Sequence, residues 1–251
     1  IGPLLSKQLF VPGLPVILTS ATLAIRRRLD YFQGRVGAES ASALLLDSSF
    51  DFERQVTLYI PHGMPSPTDR DGFIPAAADQ IRHYIAMTQG RAFVLFTSYV
   101  MMQAMVAELS DFFEENSLRL LVQGDGMPRS LMLQTFREDI SSVIFGTSSF
   151  WTGVDVPGEA LGNVIIVRLP FSVPGHPLTA ARQEEIERRG GRAFNDYSLP
   201  EAVLRFRQGF GRLIRSRSDT GIIVVLDSRI VTKSYGKAFL DSIPTCTVIR
   251  E

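Results

Sequence analysis

The stretch AFVLFTSYVMMQAMVAELSDFF, residues 92–113, decides how the chain is read. Its opening, Ala92 to Thr97, is a short apolar run of strand length. From Val100 to Phe113 the pattern is helical, and the step Thr97-Ser98-Tyr99 separates the two. A continuous apolar strand leading at once into a helix is the unit of a parallel sheet, whose strands are covered on both faces.

The same alternation runs along the chain. It predicts further strands at Val16 to Thr19, Gln55 to Ile60, Leu118 to Val122, Val143 to Gly146, Val164 to Leu169, Ile222 to Leu226 and Thr247 to Ile249. Helices are predicted at Ala76 to Met87, Arg129 to Glu138, Thr179 to Arg189, Leu199 to Ile214 and Lys233 to Leu240. The fold class is therefore α/β, a parallel sheet flanked by helices. Pro61 to Pro75 carries four prolines and reads as a loop, as does the proline- and glycine-rich Pro170 to Pro177.

Composition limits the function. With 251 residues, 45% of them hydrophobic, the chain can bury a sizeable core. Its 26 basic and 26 acidic residues cancel, so any nucleic-acid binding must come from local clusters. Arg26-Arg27-Arg28 and Arg188-Arg189 are such clusters, each readable also as a solvated helix face. The single cysteine, Cys246, excludes an internal disulfide and supplies neither a zinc site nor an iron-sulfur cluster, which fits a reducing, cytoplasmic setting. No apolar stretch reaches the roughly 18 residues of a membrane helix, so no membrane is expected as partner. The chain opens on Ile1 and not on methionine, and is expected to be a piece of a longer polypeptide.

Chemistry is expected at the strand ends, since ligands of an open parallel sheet bind beyond the carboxyl ends of its strands. Four ends carry small hydroxyl or acidic groups: Thr19-Ser20-Ala21-Thr22, Thr97-Ser98-Tyr99, Thr147-Ser148-Ser149 and Asp227-Ser228-Arg229. Each alone is an ordinary helix cap. Together they would form a rim suited to phosphate. A second polar constellation is QGFGRLIRS, residues 208–216. At about 100° per residue, Gln208, Arg212 and Arg215 fall on one helix face, opposite Val203, Phe206, Phe210 and Leu213. Gly209 and Gly211 each cost about 1 kcal/mol relative to alanine inside a helix, which makes sense where a backbone or ligand approaches closely. The planar arginine fork suits triphosphate oxygens.

The ordered series VILTSATL (16–23), AFVLFTSY (92–99), VIFGTSSFWTGVDVPG (143–158) and LPEAVLRFRQGFGRLIRS (199–216) resembles motifs III, IV, V and VI of superfamily 2 helicases, most of all the DinG branch of the DinG/XPD-like DNA helicases. SSFDFERQVTLYIP (48–61), RLPFSVPGHPL (168–178) and GIIVVLDSRI (221–230) are similar to phrases between those motifs. The resemblance implies a RecA-like, P-loop NTPase-type fold, with residues 1–47 ending a first motor domain and 48–251 forming the second. It implies that Gln208, Arg212 and Arg215 act on the γ-phosphate of ATP, and that Gly153, Asp155 and Gly211 belong to the nucleotide site. By the same resemblance Ser98 and Thr147 touch DNA phosphates, while Ser20, Ala21 and Thr22 couple hydrolysis to domain movement. Trp151 is open to two readings, stacking on a base or packing in the core.

ATP hydrolysis in this class also needs a GxxxxGK[ST] loop and a DEAH-like acidic motif. Neither occurs, and the Gly236-Lys237 pair is followed by alanine. The chain alone is therefore expected to be inactive as an ATPase. Its implied partners are the first motor domain of the same polypeptide, which would hold most of the ATP and Mg2+, and single-stranded DNA tracked 5′ to 3′ in DNA repair. An iron-sulfur cluster would lie outside this chain. Two other functions stay open: a RecA-like module that binds nucleic acid or a partner without being a motor, and a phosphate-handling α/β enzyme such as a small-molecule kinase.

Overall fold

The structure is a computed structural model and describes residues 1–20, 22–25, 27–151, 156, 158–173 and 175–251. Seven strands form the sheet: β1 (Val56–Ile60), β2 (Ala92–Leu95), β3 (Arg119–Val122), β4 (Ser142–Gly146), β5 (Asn163–Ile166), β6 (Gly221–Val225) and β7 (Thr247–Arg250). Their order is β3-β4-β2-β5-β6-β1-β7, and every pair is parallel. The helices are α1 (Gly2–Gln8), α2 (Asp30–Val36), α3 (Phe52–Gln55), α4 (Arg70–Thr88), α5 (Tyr99–Glu115), α6 (Arg129–Glu138), α7 (Ser148–Trp151), α8 (Pro177–Arg188), α9 (Leu199–Phe210), α10 (Arg229–Thr232) and α11 (Gly236–Leu240), with a π-helical turn at Phe194–Ser198 before α9.

Side chains alternate across a strand, so each central strand feeds two cores. Phe93, Leu95, Ile144, Val164, Ile166, Ile223 and Val225 face one layer, where they meet α6, α7, α9 and α11. Val94, Phe145, Ile165 and Val224 face the other, against α4 and α5. This three-layer arrangement explains why the strand sequences are apolar throughout and not alternating.

Three expectations are corrected. Val16 to Thr19 forms no strand; the segment pairs with no strand of the sheet, and Ile17 is 86% exposed. A strand exists only with a partner, and no strand of this sheet takes one from that segment. Pro75 lies inside α4, which starts at Arg70 and not at Ala76. The proline sits in the second turn, where it removes one backbone bond, and the Asp69 carboxylate caps the helix by accepting from the Gly72 N–H at 3.3 Å. Of the predicted helix Lys233 to Leu240 only Gly236–Leu240 is helical, as α11, while the separate short helix α10 ends at Thr232 before it.

One buried side chain ties the sheet's carboxyl edge together. Asp227, fully buried just beyond β6, accepts from the Leu169 N–H beyond β5 at 2.7 Å and from the Arg229 guanidinium at 2.9 and 2.6 Å. It is therefore a structural brace and not an open phosphate ligand. Asp227→Ala would strand a part-buried guanidinium and a buried N–H. We expect it to destabilise the chain by about 3–5 kcal/mol in chemical denaturation; a loss below about 1 kcal/mol, the range of exposed pairs, would contradict this assignment.

Candidate functional site

Strand register brings the predicted rim to one level. Leu95 of β2 pairs with both Gly146 of β4 and Ile166 of β5, and Ile166 pairs with Val225 of β6. The residues just beyond, Thr97-Ser98, Thr147, Arg168 and Asp227, therefore share the carboxyl edge. Thr19, Ser20 and Thr22 are not among them, because they belong to no strand of this sheet.

Ser98 caps α5: its Oγ accepts from the Met101 N–H at 3.1 Å. The hydroxyl hydrogen can still donate to an anion. Thr147 is buried, and its N–H and Oγ1 both donate to the Gln123 side-chain oxygen, at 2.7 and 3.1 Å. The Gln123 amide in turn donates to the Tyr99 hydroxyl at 2.5 Å. Gln123, level with Gly146 at the end of β3, thus joins the ends of β2 and β4. A phosphate contact from the Thr147 hydroxyl requires that amide to be displaced. Sequence reasoning missed Gln123, since a lone glutamine after a strand carries no motif.

The polar face of α9 is shorter than expected. The helix ends at Phe210, where Gly211 starts a turn with its N–H bonded to the Arg207 carbonyl at 2.9 Å. Gln208 is on the helix; Arg212 and Arg215 are not, so the three do not form one helical stripe. The four apolar residues are buried as expected, Val203, Phe206 and Phe210 from the helix and Leu213 from the turn that follows it. The Arg212 Nε donates to the Trp151 carbonyl at 3.2 Å. Arg215 lies in a turn whose shape comes from Asp219, which accepts from the N–H groups of Arg215 and Ser216 at 2.7 and 2.8 Å. Burial raises the Asp219 pKa, but these bonds and that from the Ser216 hydroxyl outweigh it and hold the carboxyl below its ordinary value. Gln55, next to β1, donates to the Ser216 and Asp219 carbonyls, placing the turn at the amino ends of β1 and β6. Arg215 and the Ser98 rim are thus at opposite edges of the sheet.

What α9 does meet is the segment before residue 36. The Gln208 amide donates to the Thr22 hydroxyl at 3.4 Å, and the Thr22 N–H donates to the Ser20 Oγ at 3.2 Å. Arg207 donates to the Ala24 carbonyl at 3.0 Å, and its burial lowers its pKa. Glu201 accepts from Tyr31 at 2.7 Å and pairs with Arg35. Burial above all, then the bond to Glu201, raises the Tyr31 pKa. Of the residues in these contacts Gln208, Ser20 and Thr22 were singled out from the sequence, though not their meeting with one another. Arg207, Glu201 and Tyr31 belong to no quoted polar set.

Trp151 is buried, donates its indole N–H to the Phe96 carbonyl at 3.0 Å and packs on Gly209, so it belongs to the core. A cleft of about 360 Å³ opens beside it between the strand ends and α9, lined by Thr97, Ser148, Phe171, Arg205 and Gln208 among others. The arginine runs read as solvated faces: Arg27 pairs with Asp47, Arg28 with Asp30, and Arg188 and Arg189 share Glu185. Ala21, Gly153, Asp155 and Arg26 lie outside the described residues.

A three-layer sheet in which motif-like segments IV, V and VI occupy the strand ends and the covering helix defines a RecA-like helicase domain. The helicase C-terminal domain family model matches residues 81–246, and the chain belongs to that family. It is 40% identical over 253 residues to the 3'-5' exonuclease DinG of Bacillus subtilis, covering 98% of this chain and 27% of that protein. It is also 40% identical to the ATP-dependent DNA helicase YoaA of Haemophilus influenzae, covering 94% and 36%. The chain thus spans about a quarter to a third of the length of these relatives. In fold it is similar to XPD in its apo form, with a TM-score of 0.70 and 18% identity over 95% of this chain and 49% of that one. No helix among the described residues is long and apolar enough to cross a membrane.

Gly209 accounts for one of the two unusual glycines. A Cβ there would lie 2.9 Å from two indole carbons of Trp151 and 3.3 Å from a Leu95 methyl. Helix propensity favours alanine by about 1 kcal/mol, and overpacking opposes it by about 1–3 kcal/mol. We expect Gly209→Ala to lower the melting temperature of the chain; a higher one would mean that Trp151 moves aside without cost.

Proposed function

We propose that this chain is the C-terminal part of an ATP-dependent DNA helicase, residues 1–47 completing a first motor domain and 48–251 forming the second. The polypeptide would track single-stranded DNA 5′ to 3′. The observation that carries this reading is the contact of Thr22, Ala24, Tyr31 and Arg35 with α9, which includes the bond from Gln208 to Thr22. The resemblance assigns Gln208 to the motif that acts on the γ-phosphate and Thr22 to the motif that couples hydrolysis to domain movement. The unpaired Val16 to Thr19 run, apolar yet exposed, is what a strand of another domain's sheet looks like when that sheet is absent.

In this reading Arg212 and Arg215 stabilise charge on the γ-phosphate of an ATP held with Mg2+ mainly by the first motor domain, aided by Gln208. Gly153, Asp155 and Gly211 complete the nucleotide side, and Ser20, Ala21 and Thr22 relay the change. DNA lies across the carboxyl edge, against Ser98 and, once Gln123 gives way, Thr147. An iron-sulfur cluster would belong to the remainder of the polypeptide. The chain alone would not hydrolyse ATP, since it carries no phosphate loop.

An arginine that acts on the transition state changes turnover more than ATP binding. In the full-length polypeptide, Arg215→Ala should lower DNA-stimulated turnover by roughly a hundredfold or more, within the range of arginine fingers. Arg215→Lys should rescue poorly, having lost the planar fork. The melting curve should hardly move, because residue 215 is exposed and its N–H to Asp219 survives the change. Steady-state ATPase assays beside thermal melts check this; normal turnover of a folded Arg215→Ala protein would remove Arg215 from the mechanism.

A further inference from the structure

Guanidinium groups outnumber carboxylates at the carboxyl ends of β5 and β6. Asp227 is taken up by Arg229, which holds both of its oxygens and lies over the Phe171 ring at 5.5 Å. Arg168, one residue before Leu169, is half-buried and makes no hydrogen bond or ion pair among the described residues. Its charged neighbours are Arg229, Asp227 and Arg70. Burial first, then repulsion from Arg229 and Arg70, lowers its pKa, and Asp227 offsets only part of this. Arg70 is exposed at the first position of α4, where the helix dipole disfavours a cation. Arg168 and Arg229 share one carboxylate that is already paired with Arg229, and Arg70 adds a third positive charge near Arg168, so positive charge is in excess. A half-buried cation in such surroundings is unfavourable until an anion completes it.

We propose that Arg168, supported by Arg70 and Arg229, binds a backbone phosphate of single-stranded DNA at the carboxyl end of β5. The proposal rests on the nucleic-acid reading above and adds to it a contact that none of the helicase-like motifs contains. Two observations favour a phosphodiester. Arg168 lies just beyond β5 at the same edge as Ser98, the backbone contact of the proposed function. Phe171, beneath the Arg229 guanidinium, stacks on Phe194 at 5.9 Å with Phe194 42% exposed, an aromatic surface on which a base can rest.

The test is a titration of labelled oligothymidylate with the full-length polypeptide across a salt series. Arg168→Gln should weaken binding roughly tenfold, as loss of a charged hydrogen bond does. It should also reduce the slope of log affinity against log salt by about 0.7, the value of one single-strand phosphate contact. Arg168→Lys should keep the slope. Arg70→Gln, at an exposed position, should lower the slope by a smaller amount and serves should Arg168→Gln fail to fold. The same variants are titrated with ATP alone. Unchanged DNA slopes for Arg168→Gln and Arg70→Gln overturn the proposal, as does a loss confined to ATP affinity, which would make the site a nucleotide's. A wild-type protein without salt-dependent binding to oligothymidylate would instead overturn the nucleic-acid reading itself.

Discussion

A sheet whose strands all run parallel must be covered on both faces, and here the covering of one face sets the geometry of every candidate group. The α9 helix lies on that face close enough for Gly209 to meet the Trp151 indole and the Leu95 side chain. Phe206 and Phe210 are buried from the same helix, fixing its rotation. Its other side is thereby committed: Gln208, Arg207 and Glu201 meet the 20–35 segment because no other orientation of the helix buries its aromatic residues. Trp151 connects this layer to the strand ends, since its N–H reaches the Phe96 carbonyl and its own carbonyl receives Arg212. The glycine, the tryptophan and the arginine therefore work as one packing unit.

The parts of the fold that could be read from sequence are those where local pattern and tertiary demand agree. The seven strands of the sheet were all foreseen to within a few residues at each end, because a parallel strand is apolar throughout and a helix follows it. Val16 to Thr19 has the same apolar pattern and no partner, and a strand's partner is not written in its own residues. The end of α9 went unread for another reason. Helical periodicity continues through Leu213 and Ile214, both of which are buried, yet Gly211 lets the chain leave the helix and bury them from a turn. The face proposed for Gln208, Arg212 and Arg215 failed with it, although Gln208 itself does meet the 20–22 segment. Pro75 deceived in the opposite direction, since a proline early in a capped helix costs a single bond.

The site shows the same division. Hydroxyls at strand ends were legible as a rim, because parallel topology alone sends them to one edge. Their state was not: the Thr147 hydroxyl is occupied by Gln123, and Asp227 is occupied by Arg229 and the Leu169 N–H. Charge counting over the whole sequence concealed the excess at Arg168, because the chain is neutral in sum. The arginine runs that did attract notice are paired with neighbouring acids. Local balance, set by which side chains the fold brings together, decides where an anion finds unspent charge.

On the proposed function, the chain supplies half of a nucleotide site: arginines without a phosphate loop, preceded by the apolar, exposed run Val16 to Thr19 that joins no strand of this sheet. The most direct measurement is ATP turnover by the purified chain with Mg2+ and single-stranded DNA. The account predicts none above buffer hydrolysis, because no residue of this sequence forms a phosphate loop. Turnover by pure material that disappears in Arg215→Ala would show a complete active site within these residues and contradict it.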